Sequence, residues 1–245
     1  MNRRLMLAAA AALICVVPSF AGDILKPRGV VELFTSQGCN SCPPADAYLG
    51  ELTSRPDVLA LSLHVDYWDY IGWKDPFAQR AYTERQRSYS RALNQRFVYT
   101  PQMVVNGTLL GVGSEQATIN KLIDKARRLE ASGPTIRVTA VKGSGDQRLV
   151  HVGEGKAEAP AKVWLVFYDS KHETPINAGE NSGRKLANYN VVRTLTPIGK
   201  WTGGAASFPV DLDAIDADCD GAAVIVQTEG TGPIIAAARI DRTKR

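Results

Sequence analysis

Cysteine is scarce in this chain: there are four in 245 residues, and Cys15 lies inside an N-terminal apolar run. That leaves Cys39, Cys42 and Cys219, an odd count too small for a fold built on disulfides. An excess of one charge is missing too. The formal net charge is +4, with Arg242, Lys244 and Arg245 crowded into the last four residues, so no basic face for nucleic acid is implied. No apolar run reaches the roughly 20 residues of a membrane-spanning helix. What remains is ordinary globular composition, 44% hydrophobic and 22% charged, which excludes a disordered chain. The length suits one large domain or two ordinary ones.

The N-terminus reads as an export signal over residues 1–21. Arg3 and Arg4 supply a positive start, Leu5 to Val17 an apolar stretch, and Ser19-Phe20-Ala21 a small-x-small cleavage site. Cys15 follows Ile14, where lipoprotein processing wants a small residue, so no lipid anchor is expected. The mature protein should begin at Gly22, lack a spanning helix and be periplasmic or secreted, a location that permits disulfides. Cys219 reads as a buried inert thiol.

The chemistry-bearing stretch is Gln37-Gly38-Cys39-Asn40-Ser41-Cys42-Pro43-Pro44. It follows an apolar strand, Gly29 to Thr35, and opens a helix in whose first turn Pro43 and Pro44 cost little. The first turn of a helix offers unpaired N–H groups and the positive end of its dipole. A sulfur held there is stabilised as thiolate, so the close pair reads as a functional dithiol. A second apolar strand spans Val58 to Val65, and Asp75-Pro76 opens a polar helix to about Gln95. Thr100-Pro101 leads a third strand, Asn106-Gly107 marks a hairpin into a fourth at Thr108 to Val112, and a helix follows over Glu115 to Leu129. This order implies two parallel strands plus a closing antiparallel hairpin, flanked by helices.

These residues carry a resemblance. The Cys39-x-x-Cys42-Pro43 motif after the first strand, with Thr100-Pro101 opening a hairpin strand, resembles the thioredoxin superfamily. Glu32 through Asp46, His64-Val65-Asp66-Tyr67-Trp68-Asp69 and Tyr99-Thr100-Pro101-Gln102 are similar to an exported bacterial family, domain of unknown function 1223, a thioredoxin-like group without an established activity. The resemblance implies a thioredoxin-like domain over residues 22–133. It also implies a cis bond before Pro101, lying against the dithiol, and an exposed first cysteine with a buried second one. No cofactor is implied.

Under the redox reading, Cys39 attacks a substrate disulfide and Cys42 resolves the mixed disulfide. Glu32, a charge within an apolar strand, reads either as a proton acceptor for Cys42 or as a strand residue facing solvent or the second domain. His64, Tyr67, Trp68 and Thr100 should rim the site, because the carboxyl ends of parallel strands host ligands. The partner would be a protein or peptide thiol or disulfide. Two alternatives stay open: a binding scaffold with a structural disulfide, and a copper-handling protein using Cys39, Cys42 and His64 as a soft S,S,N site.

After Gly133-Pro134 the periodicity changes to about seven short strands separated by Gly, Pro and Asp clusters, which predicts an all-β antiparallel sandwich over 134–245. Asp216 to Gly221 mimics a calcium loop, but its twelfth position is Gln227 in place of Glu, so it reads as a turn.

Overall fold

The computed structural model describes residues 27, 29–129, 133–141, 143–213 and 219–240. The export signal and residues 216–218 of the calcium-like string lie outside the described residues.

Strand β1 (Gly29–Thr35) is buried along its whole length. A strand covered on both faces carries a continuous apolar run, as this one does. Val31 and Leu33 pack toward α1 (Pro43–Thr53) and α3 (Gln116–Leu129), whereas Val30 and Phe34 face the other side, under α2 (Arg80–Ala92). Strand β2 (Val58–His64) runs parallel to β1, with Thr35 opposite His64. On the other flank of β1, β3 (Gln102–Val105) and β4 (Leu109–Val112) form the hairpin that Asn106-Gly107 signals. Both turn residues have positive φ, 46° and 71°, as such a turn demands. The Asn106 side chain also accepts the Val30 N–H at 2.6 Å, locking the turn onto β1.

Helix α2 starts five residues later than Asp75-Pro76 suggests. The Asp75 carboxylate is occupied locally, accepting the N–H of Phe77 at 2.9 Å and that of Gln37 at 2.8 Å. Those bonds hold residues 75–79 as a loop beneath the dithiol segment.

Seven strands follow among the described residues: β5 (Ile136–Ala140), β6 (Gln147–Val152), β7 (Ala161–Pro175), β8 (Lys185–Trp201), β9 (Ala206–Asp211), β10 (Gly221–Thr228) and β11 (Ile234–Ile240). The sequence marks only Val163–Tyr168 and Asn190–Leu195 as strand in the β7–β8 region. Both strands run far beyond those apolar segments, paired from Ala161–Trp201 out to Pro175–Lys185. The extension carries Asp169, Ser170, Lys171, His172 and Glu173, polar residues that read as loop but here form a two-stranded arm.

The sheets do not separate at the change of periodicity. One eight-stranded sheet runs β11-β10-β7-β8-β2-β1-β3-β4, with β8 joined to β2 in parallel through Ser62 and Val191. Asn190, at φ 42°, adds a side-chain hydrogen bond to the Ala60 carbonyl at 2.8 Å. The remaining strands form a three-stranded antiparallel sheet, β5-β6-β9. It covers the β7–β10–β11 region over an apolar cluster that includes Ile136, Val150, Phe167, Val224 and Trp201.

Candidate functional site

Cys39 and Cys42 stand where β1 ends and α1 begins, and they are joined as a disulfide. Cys42 is the N-cap residue of α1. The backbone donors expected to face the sulfurs are otherwise engaged. Cys42 N–H donates to the Cys39 carbonyl, Ala45 N–H donates to that of Cys42, and Pro43 and Pro44 have no N–H to give. The polar neighbour of the Cys39 sulfur is the Ser41 hydroxyl, 3.3 Å away.

The Thr100–Pro101 bond is cis. Pro101 packs near the start of α1: Gly113 donates its N–H to the Pro101 carbonyl, and a Cβ at Gly113 would lie 3.0 Å from Ala45 and 3.3 Å from Pro101. Trp68 links this loop to the dithiol loop. Its indole N–H donates to the Thr100 hydroxyl at 2.8 Å, and its own Cβ would sit 3.3 Å from a Cβ at Gly38. Tyr67 is half-buried beside it and donates to Gln86 at 3.2 Å; burial pushes its phenol up to about 12. Tyr70 and Phe97, on the neighbouring loops, are 82% and 70% exposed. Thr100, Trp68 and Tyr67 thus lie together, next to the loop that carries Gly38.

Three expectations need correction. Both cysteines are buried, at 0% exposure each, where an exposed Cys39 was expected. The cover is the tip of the β7–β8 arm, residues 176–184. From it, the buried Asn181 amide donates to the carbonyls of Gln37 and Cys39 at 2.9 and 3.0 Å, and Glu180 accepts the Asn40 N–H at 3.3 Å. His64 is also wholly buried, bonded to Asp75 and edge-on to Phe77, so it is a floor residue and not a rim one. Glu32 is not brought to the dithiol. Strand alternation turns it to the α2 face, where it pairs with Arg85 Nε at 2.6 Å and accepts the Tyr89 hydroxyl at 2.5 Å.

A different carboxyl occupies the dithiol side. Asp46 lies one turn after Cys42 on α1 and donates its N–H back to the Cys42 carbonyl, a spacing that places the two side chains on one helix face. Asp46 is 3% exposed and faces His64, Thr35, Asp75 and Asn188. Burial pushes its pKa up to about 7, against the opposing pull of the His64 charge. His64 Nδ1 meets Asp75 Oδ2 at 2.7 Å with both side chains fully buried. Burial alone would depress the imidazole; the Asp75 and Asp46 carboxyls outweigh it and hold His64 above its ordinary value. Burial would likewise raise Asp75, but the His64 charge and the N–H groups of Gln37 and Phe77 keep it below the usual carboxylate range. Sequence reasoning missed Asp46, although its distance from Cys42 on the apolar side of a helix was a usable signal.

Among the described residues, no three His, Cys, Asp or Glu side chains are grouped so as to hold a metal ion. His64 Nδ1 is taken by Asp75.

The family described as protein of unknown function (DUF1223) matches residues 30–227. The chain belongs to this family. A protein from Agrobacterium tumefaciens, solved by X-ray crystallography, is 30% identical and superposes with a TM-score of 0.77, covering 89% of this chain and 96% of its own. No curated protein matches this DUF1223 chain. The shared fold therefore extends through both sheets, and the chemistry has to be argued from the site.

Proposed function

We propose that this DUF1223 protein is an exported, thioredoxin-like thiol–disulfide oxidoreductase, with its β-sandwich-like second half (134–245) supplying the cover of the site. The observation that carries the reading is the Cys39–Cys42 pair at a strand-to-helix junction, tied through Trp68 to the loop bearing the cis Thr100–Pro101 bond. Pro101 and both sulfurs are buried with the arm tip closed; with the tip lifted, the loop whose proline lacks an N–H is where an extended segment of a partner would lie. Exposed aromatics near by, Tyr70 two residues after Trp68 and Phe97 against Tyr99, suit a peptide more than a small polar solute. Exchange would proceed by attack of Cys39 on a partner disulfide, followed by displacement of the partner by Cys42.

A second reading is favoured by the burial of both sulfurs: a non-catalytic binding scaffold whose disulfide is structural. Equilibration in glutathione buffers separates the two. A potential of roughly −120 to −270 mV is expected for the exchange reading, and one below about −300 mV refutes it. A Cys42→Ser variant is expected to retain a periplasmic or secreted partner as a mixed disulfide through Cys39, read by mass spectrometry after alkylation.

A further inference from the structure

We propose that Asp46, seated against His64 and Asp75, is the proton acceptor for the Cys42 thiol when the Cys39–Cys42 disulfide re-forms. This rests on the thiol–disulfide exchange reading and assigns the acid–base partner of that site.

The geometry begins with unmet hydrogen-bonding capacity. Five buried side-chain atoms lack a close hydrogen-bond partner, Thr35 Oγ1, Asp46 Oδ1, Ser62 Oγ, His64 Nε2 and Asn188 Nδ2, with Thr35 and Asn188 still near enough to Asp46 to favour its charged form. They come from four elements but one place. Thr35 ends β1 on the face of Val31 and Leu33, and Ser62 and His64 share the face of Val58 and Ala60 on β2, both packed under α1. Asn188 belongs to β8 and approaches Asp46, which comes down from α1. Buried polar groups are normally satisfied, and leaving several open in one pocket costs stability. Such a cost is tolerated where a group must change its protonation state during function.

The charges fit that use. The groups facing Asp46 are His64 from β2, Asp75 from the loop before α2, and the neutral Thr35 and Asn188, with Cys42 one turn back on its own helix. His64 is locked to Asp75 through Nδ1, leaving Nε2 open and its positive charge available to Asp46. Asp46 therefore holds or releases a proton near neutrality while the disulfide stands formed. With the first-turn N–H groups absent or engaged, a carboxyl one turn along the helix is the built acid–base group on the Cys42 side.

The step balances as follows. The Cys39 thiolate attacks a partner disulfide, forming a Cys39–partner bond and releasing one partner sulfur as thiolate. The Cys42 thiol passes its proton to the Asp46 carboxylate, and the resulting thiolate attacks the Cys39 sulfur. The Cys39–Cys42 bond forms, the Cys39–partner bond breaks, and its electron pair leaves on the second partner sulfur. The protein dithiol is oxidised and the partner disulfide reduced by two electrons, with the proton left on Asp46. In the reverse direction Asp46 returns that proton to Cys42.

The test uses the mature protein, reduced and then mixed with oxidised glutathione between pH 5.5 and 8.5. Formation of the glutathione adduct and closure to the disulfide are followed separately by acid quench and mass spectrometry. Asp46→Asn should slow closure at least tenfold at pH 7, with adduct formation at Cys39 changed less than twofold, and should abolish the inflection in the closure profile. His64→Gln removes a cation that holds Asp46 down, so it should move that inflection to higher pH; it serves as the test if Asp46→Asn does not fold. A closure profile identical in wild type and the variants overturns the assignment while exchange itself stands. Absence of any glutathione adduct or closure in the wild type refutes the exchange reading, and this inference with it.

Discussion

Replacing Asn181 with alanine strips the cover from the dithiol while leaving the sheet beneath it intact. The Asn181 amide makes two hydrogen bonds, to the carbonyls of Gln37 and Cys39, and its Oδ1 accepts one from Arg184 at 3.0 Å. At about 1 kcal/mol net for each of the two amide bonds, and up to about 2 kcal/mol more for carbonyls left buried without partners, the closed arm tip loses about 2–4 kcal/mol. That corresponds to a roughly 30- to 1000-fold larger population of the open form. A reductant reaches the disulfide through that form, because both sulfurs are fully buried in the closed one. The rate of disulfide reduction by a small phosphine at neutral pH should rise by the same factor, read by alkylating the released thiols at timed intervals. Urea denaturation in parallel separates lifting of the tip from global unfolding. A variant reduced at the wild-type rate would refute the view that residues 176–184 control access.

Further outcomes follow from the buried charges. Burial raises Asp46 from 3.8 to about 7, so its contribution to stability is complete below about pH 4 and is lost as pH rises through about 7. The loss is about 4 kcal/mol, so the difference between Asp46→Asn and wild type in urea melts should grow in favour of the variant across that window. Taking the difference cancels those parts of Asp75, which titrates with the opposite sign, and of His64 that do not depend on Asp46. Glu32→Ala strands the buried Arg85 guanidinium and should cost about 3–5 kcal/mol by denaturation, while Cys39 alkylation in the reduced protein stays unchanged. Gly38→Val would crowd Ile71 and the Trp68 backbone. It should displace the indole from Thr100, seen as a shifted tryptophan emission, with unchanged emission counting against the Trp68 bridge.

Much of the first half was legible because its signals are local. An apolar run buried on both faces gave β1, two prolines in a first turn gave α1, and Asn-Gly gave the hairpin. Glu32 misled because charge in an apolar strand says nothing about which face it takes; Val31, Leu33 and Thr35 hold the α1 face, so residue 32 had to point away from it. The polar arm of β7 and β8 was unreadable for another reason. Its strands bury one another's backbone and little side-chain surface, so no apolar alternation marks Asp169 to Glu173. Burial of Cys39 depends on Asn181, 142 residues away in the chain, and no local pattern predicts such a contact.

The lateral bond between β2 and β8 has a consequence for dissecting the protein. A fragment ending at residue 133 would carry Val58–His64 as a bare border, apolar on both sides and without the neighbour that Asn190 and Val191 provide. Such borders recruit other chains, so that fragment should self-associate, and the piece bearing the two sulfurs becomes a well-behaved solute only once its C-terminal strands are in place.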